Sequence, residues 1–459
     1  MLLRAAPPLR ALALLSAADT PATALDEAAA AALVAGTAIG GGFLALPYTT
    51  APAGFLPSSV ALCGSWLFLL LQSLVLADLV LDAPADPPPS FNTLAADSLG
   101  PAGQRAVSSL FVALMLTTLA AQYAKGGELL GAALGVRAPG ASALCAAGLS
   151  LFTLRASPRA AATANAALTA GFALSLCAVF ALGAPLSVPS RLLRADWGAA
   201  WRTVPTLLQL LVFLEVVPTV CELCNRERRR VRRALLAGSL GLLVVQLGWS
   251  GLGLGLVPFV AGDLADPLAA LRSGAVAGGV AGGGGAVGGA IGPLVGALGG
   301  CAVATTVIGT NLALHGFFAD TRARSSGREG EGGKDGEGGG EGGGEGGGEG
   351  GGKSLGAALR FAAAVSLPLA IACAGEASAF LAATDFAGAY PVALLWGVAP
   401  PLMALRRPSG SEPSGRSGRL RRIALVLLAA ASAAFVGANL AFDAPRLLGG
   451  GAARWELRS

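Results

Sequence analysis

LVAGTAIGGGFLALP, residues Leu33 to Pro47, is apolar on both flanks and carries three consecutive glycines, Gly40, Gly41 and Gly42, at its middle. Each glycine costs a helix interior about 1 kcal/mol relative to alanine, so a helix through this stretch is expected to break there. Broken backbone at membrane depth is tolerated only where protein encloses it or where it lines a cavity. The N–H groups freed at the start of the second half-helix form a positive dipole end that suits a carboxylate. Membrane helices with such interruptions hold anionic groups near the bilayer midplane in this way. A glycine-rich face for close helix packing is the other reading of the same residues.

Outward from this stretch the chain keeps the same character. Of its 459 residues 54% are hydrophobic and 13% charged, with a mean hydropathy of +0.66. Soluble domains carry about 25% charged residues, so the composition is that of an integral membrane protein. The net charge of +5 is no signature of nucleic-acid binding, because the arginines cluster in short connections between apolar segments. The seven cysteines lie in or at the ends of apolar segments, without the spacing of a disulfide framework or a zinc site. Cys221 and Cys224 form a CxxC, but no second pair or histidine lies near it.

An all-α fold of about 11 transmembrane helices is expected from segments near the 20 residues a bilayer requires. They lie at 28–50, 56–82, 104–131, 140–155, 162–184, 203–223, 232–258, 286–319, 355–374, 379–405 and 420–442. Residues 1–27 form an N-terminal tail or a targeting segment. The membrane of residence, plastid or other organelle against plasma membrane, stays open. Residues 28–442 form the transmembrane domain and 443–459 a C-terminal tail. Within the domain, residues 321–354 are nearly all Gly and Glu towards their end and read as a disordered loop. Lys and Arg gather in alternate connections, at Arg226 to Arg233, Arg322 to Lys353 and Arg406 to Arg422, which places these and the N-terminus on the cytoplasmic side.

Several segments together resemble the tryptophan/tyrosine permease family of aromatic amino-acid transporters, within the amino acid–polyamine–organocation superfamily. VAGTAIGGGFLALP (Val34 to Pro47) is similar to that family's VAGT-x-IG-x-G-x-LA-x-P. YAKGGELL (Tyr123 to Leu130) is similar to its GxGELL ending of the third span, Pro218 precedes a basic loop as in the family, and ATTVIG (Ala304 to Gly309) matches weakly. The resemblance implies a five-plus-five inverted repeat with discontinuous helices 1 and 6, and symport of an amino acid such as tyrosine or tryptophan with a proton. The chain departs from the family at LVFLEVVPT (Leu211 to Thr219), which lacks the glycine and histidine of the family's sixth-span break.

A zwitterion in a dry site needs donors for its carboxylate and acceptors for its ammonium. The N–H groups of Gly41, Gly42 and Phe43 suit the first, and carbonyls freed around Thr37, Ile39 and Gly40 suit the second. Glu215 lies mid-span among leucines and valines beside Phe213 and Leu214, where a carboxyl carries a proton more cheaply than a charge. Intramembrane acids mark functional sites, so Glu215 reads as a proton carrier or ammonium partner; a structural ion pair is the alternative. Pro218 cannot donate its hydrogen bond and is expected to break the sixth span, with Phe213 and Leu214 beside the substrate.

Thr118 and Gln122 on the third span, and Thr306 and Thr310 on the eighth, lie one turn apart and share a face. They line the cavity or bond between helices. Glu128 beside Lys125 reads as a local ion pair. A proton, or alternatively sodium, is the coupling ion, and the bilayer is the other partner. No P-loop, metal-ligand cluster or nucleophile–base constellation occurs; neither an enzyme nor a cofactor is expected. A transporter of the same fold for another amino acid or a polyamine is the first rival, and a substrate sensor that does not transport is the rival from another class.

Overall fold

The glycine run interrupts the first apolar span. In the computed structural model, which describes residues 24–84, 89–259, 285–331, 365–374, 379–407 and 416–449, helix α1 (Ala24–Ala38) stops just before the glycines. A 3₁₀ turn (Gly41–Ala45) and the short α2 (Leu46–Thr50) resume the path at an angle of 50°. There follow α3 (Phe55–Leu81), α4 (Phe91–Leu134), α5 (Ala138–Arg155), α6 (Pro158–Gly183), α7 (Trp197–Leu211), α8 (Val217–Leu223) and α9 (Arg228–Leu256). The last group is α10 (Gly285–Glu331), α11 (Val365–Ala374), α12 (Ala379–Ala387), α13 (Ala399–Arg406) and α14 (Arg416–Gly449). A π-helical segment, Gly388–Val398, joins α12 to α13.

Among the described residues eight helical stretches are long and apolar enough to cross a bilayer, or nine with the bent first pair counted as one span. The protein is an all-helical, multi-pass membrane protein. Helices α5 and α11 stand where the fourth and ninth spans were expected but are outside that set. Exposed apolar side chains such as Leu67, Leu144, Leu174 and Val244 belong to the lipid-facing surface, since contiguous apolar patches of this kind mark membrane contact.

Two element boundaries differ from the sequence expectation. Helix α4 starts at Phe91 rather than near 104, because Ser90 caps it by accepting the Thr93 N–H at 3.2 Å. The expected start lies instead just past a kink at Gly100 (φ +72), before Pro101, where the missing proline N–H breaks the ladder and glycine accepts the left-handed conformation. Helix α10 runs to Glu331, into the stretch read as a loop from residue 321. The remainder of that loop, the tail before residue 24 and residues beyond 449 lie outside the described residues.

Helix α1 packs along α9, α3 against α7 and α9, α10 against α6 and α4, and α12 against α4 and α7. The turn after the first break therefore meets α4, α7 and α10. The basic run after α8 has a specific structural task. Arg226, at φ +57, donates to the carbonyls of Val80 (2.9 Å), Leu81 (3.2 Å) and Ala83 at the C-terminus of α3. Arg228 pairs with Asp78 and Asp82, and Arg232 with Asp78. Arg226→Ala leaves those carbonyls without their charged donor. It is expected to lower stability by about 2 kcal/mol, read as a lowered Tm of the purified protein.

Candidate functional site

The three glycines of the break each admit a different neighbour. A Cβ on Gly40 would lie 2.4 Å from Thr306 Oγ1 of α10, one on Gly41 would lie 1.7 Å from Gln122 Oε1 of α4, and one on Gly42 would lie 2.8 Å from Leu210 Cδ2 of α7. The glycines thus do two things: they end α1, and they let three helices close on the exposed backbone.

The hydrogen bonds of the break are few and specific. Ile39 N–H reaches Ala35 O, Gly40 N–H reaches Ala38 O, and Phe43 N–H reaches Gly40 O at 3.0 Å. Gly41 N–H donates to Thr306 Oγ1 at 2.8 Å, and the Thr306 hydroxyl donates to Ala302 O at 2.8 Å. Of the three donors expected to face a carboxylate, Gly42 N–H is the one without a hydrogen-bond partner in the protein among the described residues. Thr37 turns its hydroxyl back to Leu33 O at 2.7 Å, while the carbonyls of Thr37 and Ile39 accept no hydrogen bond across the interruption among the described residues. The ring of Phe43 is fully buried and stacks on Trp249 with centroids 4.9 Å apart. Trp249 Nε1 donates to Phe43 O at 3.1 Å, which fixes the second half of the broken span against α9.

The sixth span breaks as well, one turn ahead of Pro218 rather than at it. Helix α7 ends at Leu211, Val212 is extended (φ −71, ψ 131), Phe213 leaves the helical region (φ −143, ψ 9), and Leu214–Val216 form a 3₁₀ turn. The proline ring collides with the carbonyl four residues earlier, that of Leu214, so the disruption appears in the preceding turn. Gln246 of α9 takes up the freed Leu210 carbonyl at 3.2 Å. Phe213 and Leu214 are fully buried. Glu215, between buried Leu214 and Val216, lies deep among protein atoms, as expected of an enclosed carboxylate, yet keeps accessible surface. Side chains in a 3₁₀ turn diverge by about 120°, so Glu215 points to a different side from its two neighbours.

On α4, Thr118 and Gln122 share one face with Lys125. Thr118 Oγ1 accepts from Gln209 Nε2 of α7 at 3.3 Å. Gln122 is 2% exposed, and its Oε1 lacks a hydrogen-bond partner among the described residues, as does Gln209 Oε1. Lys125, 3% exposed, pairs with Glu128 at 2.6 Å as a local ion pair and lies 5.5 Å from the centre of the Phe380 ring. Thr310 is buried one turn beyond Thr306. Its neighbour Asn311 donates to Ser150 Oγ at 3.3 Å, beside the Tyr123 hydroxyl at 3.0 Å from the same oxygen, tying α4, α5 and α10 together.

Asp385 and Gln209 are among the polar residues here that escaped the sequence reading. Asp385 on α12 is 3% exposed and accepts from Thr206 Oγ1 of α7 at 3.2 Å. Its signal was a lone acid within AFLAATDFA. Gln209 is likewise an isolated amide within an apolar run, one turn after Thr206.

Residues 26–333 match the tryptophan/tyrosine permease family. A tryptophan-specific transport protein of Pseudomonas aeruginosa (strain UCBPP-PA14) is 27% identical over 262 residues, which cover 53% of this chain and 60% of the relative. Tyrosine-specific transport system 1 of Haemophilus influenzae (strain ATCC 51907 / DSM 11121 / KW20 / Rd) is 36% identical over 98 residues, covering 21% and 24%. The chain thus spans less than two thirds of either relative's length. The solved structure of the Eremococcus coleocola manganese transporter with an aromatic bis-isothiourea substituted compound covers 92% of this chain and 96% of its own, at 14% identity and a TM-score of 0.46.

Proposed function

Because this chain belongs to the tryptophan/tyrosine permease family, we propose that it is a secondary active transporter of aromatic amino acids, tyrosine or tryptophan, driven by proton symport. The observation that carries this reading is the interrupted first span, with an open donor at Gly42 beside the enclosed amide of Gln122. The substrate carboxylate takes the Gly42 N–H, next to Thr306 and the Gly41 N–H that Thr306 now holds. The ammonium meets the carbonyls of Thr37 and Ile39 at the end of α1. Thr118, Gln122, Thr306 and Thr310 wall the site from α4 and α10, and the second break, with Phe213 and Leu214, closes it from the other side.

Glu215 is the proton-coupling group: it sits at the second break, deep in the bundle but with accessible surface, which supports exchange of a proton with water. Alternating access follows from a five-plus-five inverted repeat in which the first, second, sixth and seventh spans rock against the rest. Exchange of labelled tyrosine in proteoliposomes, competed by each unlabelled amino acid in turn, tests the substrate class. Tyrosine and tryptophan are expected to compete at least about tenfold more effectively than leucine or lysine. Equal competition by all would remove the aromatic assignment.

A further inference from the structure

A buried carbonyl oxygen without a donor is rare in folded proteins, and two belong to the helices that close on the break. Gln122 Oε1 lies against the Cα of Gly41, in a side chain that is 2% exposed. Gln209 is fixed through its other amide atom, Nε2, on Thr118, which leaves its buried Oε1 without a hydrogen-bond partner among the described residues. Thr118 and Gln122 are one turn apart on the same face of α4, so both amides meet that face. The next residue along α7, Leu210, is the one that closes on Gly42.

An ammonium group has three N–H donors and no acceptor. It is the complement of carbonyl oxygens that lack a donor, such as these two with a third from the backbone. Neutral amide dipoles also hold a cation without adding a charge at membrane depth, where an unpaired carboxylate is costly. A zwitterionic substrate then arrives and leaves with no net charge to balance.

We propose that the amide oxygens of Gln122 and Gln209 form the ammonium-binding element of the transport site, with the carbonyl of Thr37 or Ile39 as third acceptor. This rests on the reading of the break as an amino-acid site. It assigns Gln209 a binding role and gives Gln122 a definite partner on the substrate.

The test measures binding of tyrosine, tyramine (no carboxylate) and 3-(4-hydroxyphenyl)propionate (no ammonium) to purified wild-type protein and to Gln122→Met, Gln209→Met and Gln122→Glu. Each methionine variant is expected to weaken tyrosine and tyramine by about tenfold or more and to leave the propionate within about twofold of wild type. Retained propionate binding also shows that the variant is folded. Gln122→Glu, which keeps an acceptor, is expected to bind tyrosine better than Gln122→Met. Equal weakening of all three ligands, or tyrosine binding worse in Gln122→Glu than in Gln122→Met, would overturn the assignment; the latter result would mean that the amide faces the carboxylate. Wild-type protein that binds no aromatic amino acid would instead overturn the transport reading beneath it.

Discussion

Gly41→Ala is expected to reduce tyrosine and tryptophan transport by about tenfold to a hundredfold while leaving the protein folded. A Cβ at this position would stand 1.7 Å from Gln122 Oε1, 2.6 Å from its Cδ and 3.1 Å from its Nε2. All three atoms are the far end of a flexible side chain, so the clash resolves by swinging the amide away. The cost in stability is small, and the loss falls on the site: Gln122 no longer faces the break, and the new methyl occupies the place of the ligand. Gly36→Ala is the control within the same span, because its Cβ would have nothing within 4 Å; its transport and melting temperature are expected to match wild type. Transport at wild-type rates by Gly41→Ala would mean that substrate does not approach this face of the break.

Gly388→Ala is expected to fail in the opposite manner, through the fold. Its Cβ would lie 1.6 Å from the carbonyl oxygen of Pro205 and 3.2 Å from the backbone nitrogen of Gln209. Backbone atoms cannot turn aside, so α7 and the π-helical segment must separate. Forcing atoms into a packed interior costs about 3 kcal/mol, and this contact also positions Thr206 against Asp385 and Gln209 against Thr118. A melting temperature several degrees below wild type, or loss of the monodisperse peak, is expected even where substrate stabilises the protein. A Gly388→Ala variant as stable as wild type would show that the two helices are not held this closely.

The contrast between these two glycines shows what the sequence can and cannot reveal. Both breaks were legible because their causes are local: three glycines cannot sustain a helix, and Pro218 disrupts the turn before it. The position of the second break, one turn ahead of the proline, follows from the reach of the ring to the carbonyl of Leu214. The helical membrane architecture was equally legible, because long apolar segments have few alternatives in a bilayer. The partners of the glycines were not. That Gly41 faces Gln122, or Gly388 the carbonyl of Pro205, depends on how helices distant in sequence rotate against one another, and no local periodicity encodes it. Asp385 and Gln209 stayed out of view for the same reason: an isolated polar residue in an apolar run gains its meaning from the helix it meets. Glu215 was visible as an intramembrane acid, but the 3₁₀ turn that gives it accessible surface was not.

The most direct test of the account is uptake of labelled tyrosine and tryptophan into proteoliposomes under an imposed inward proton gradient, with Glu215→Gln measured alongside. Accumulation above the external concentration is expected, collapsing when the proton gradient is dissipated and independent of sodium. Glu215→Gln should retain exchange and lose accumulation. Folded, correctly inserted protein that accumulates neither amino acid, or that accumulates them equally well without a proton gradient, would contradict it.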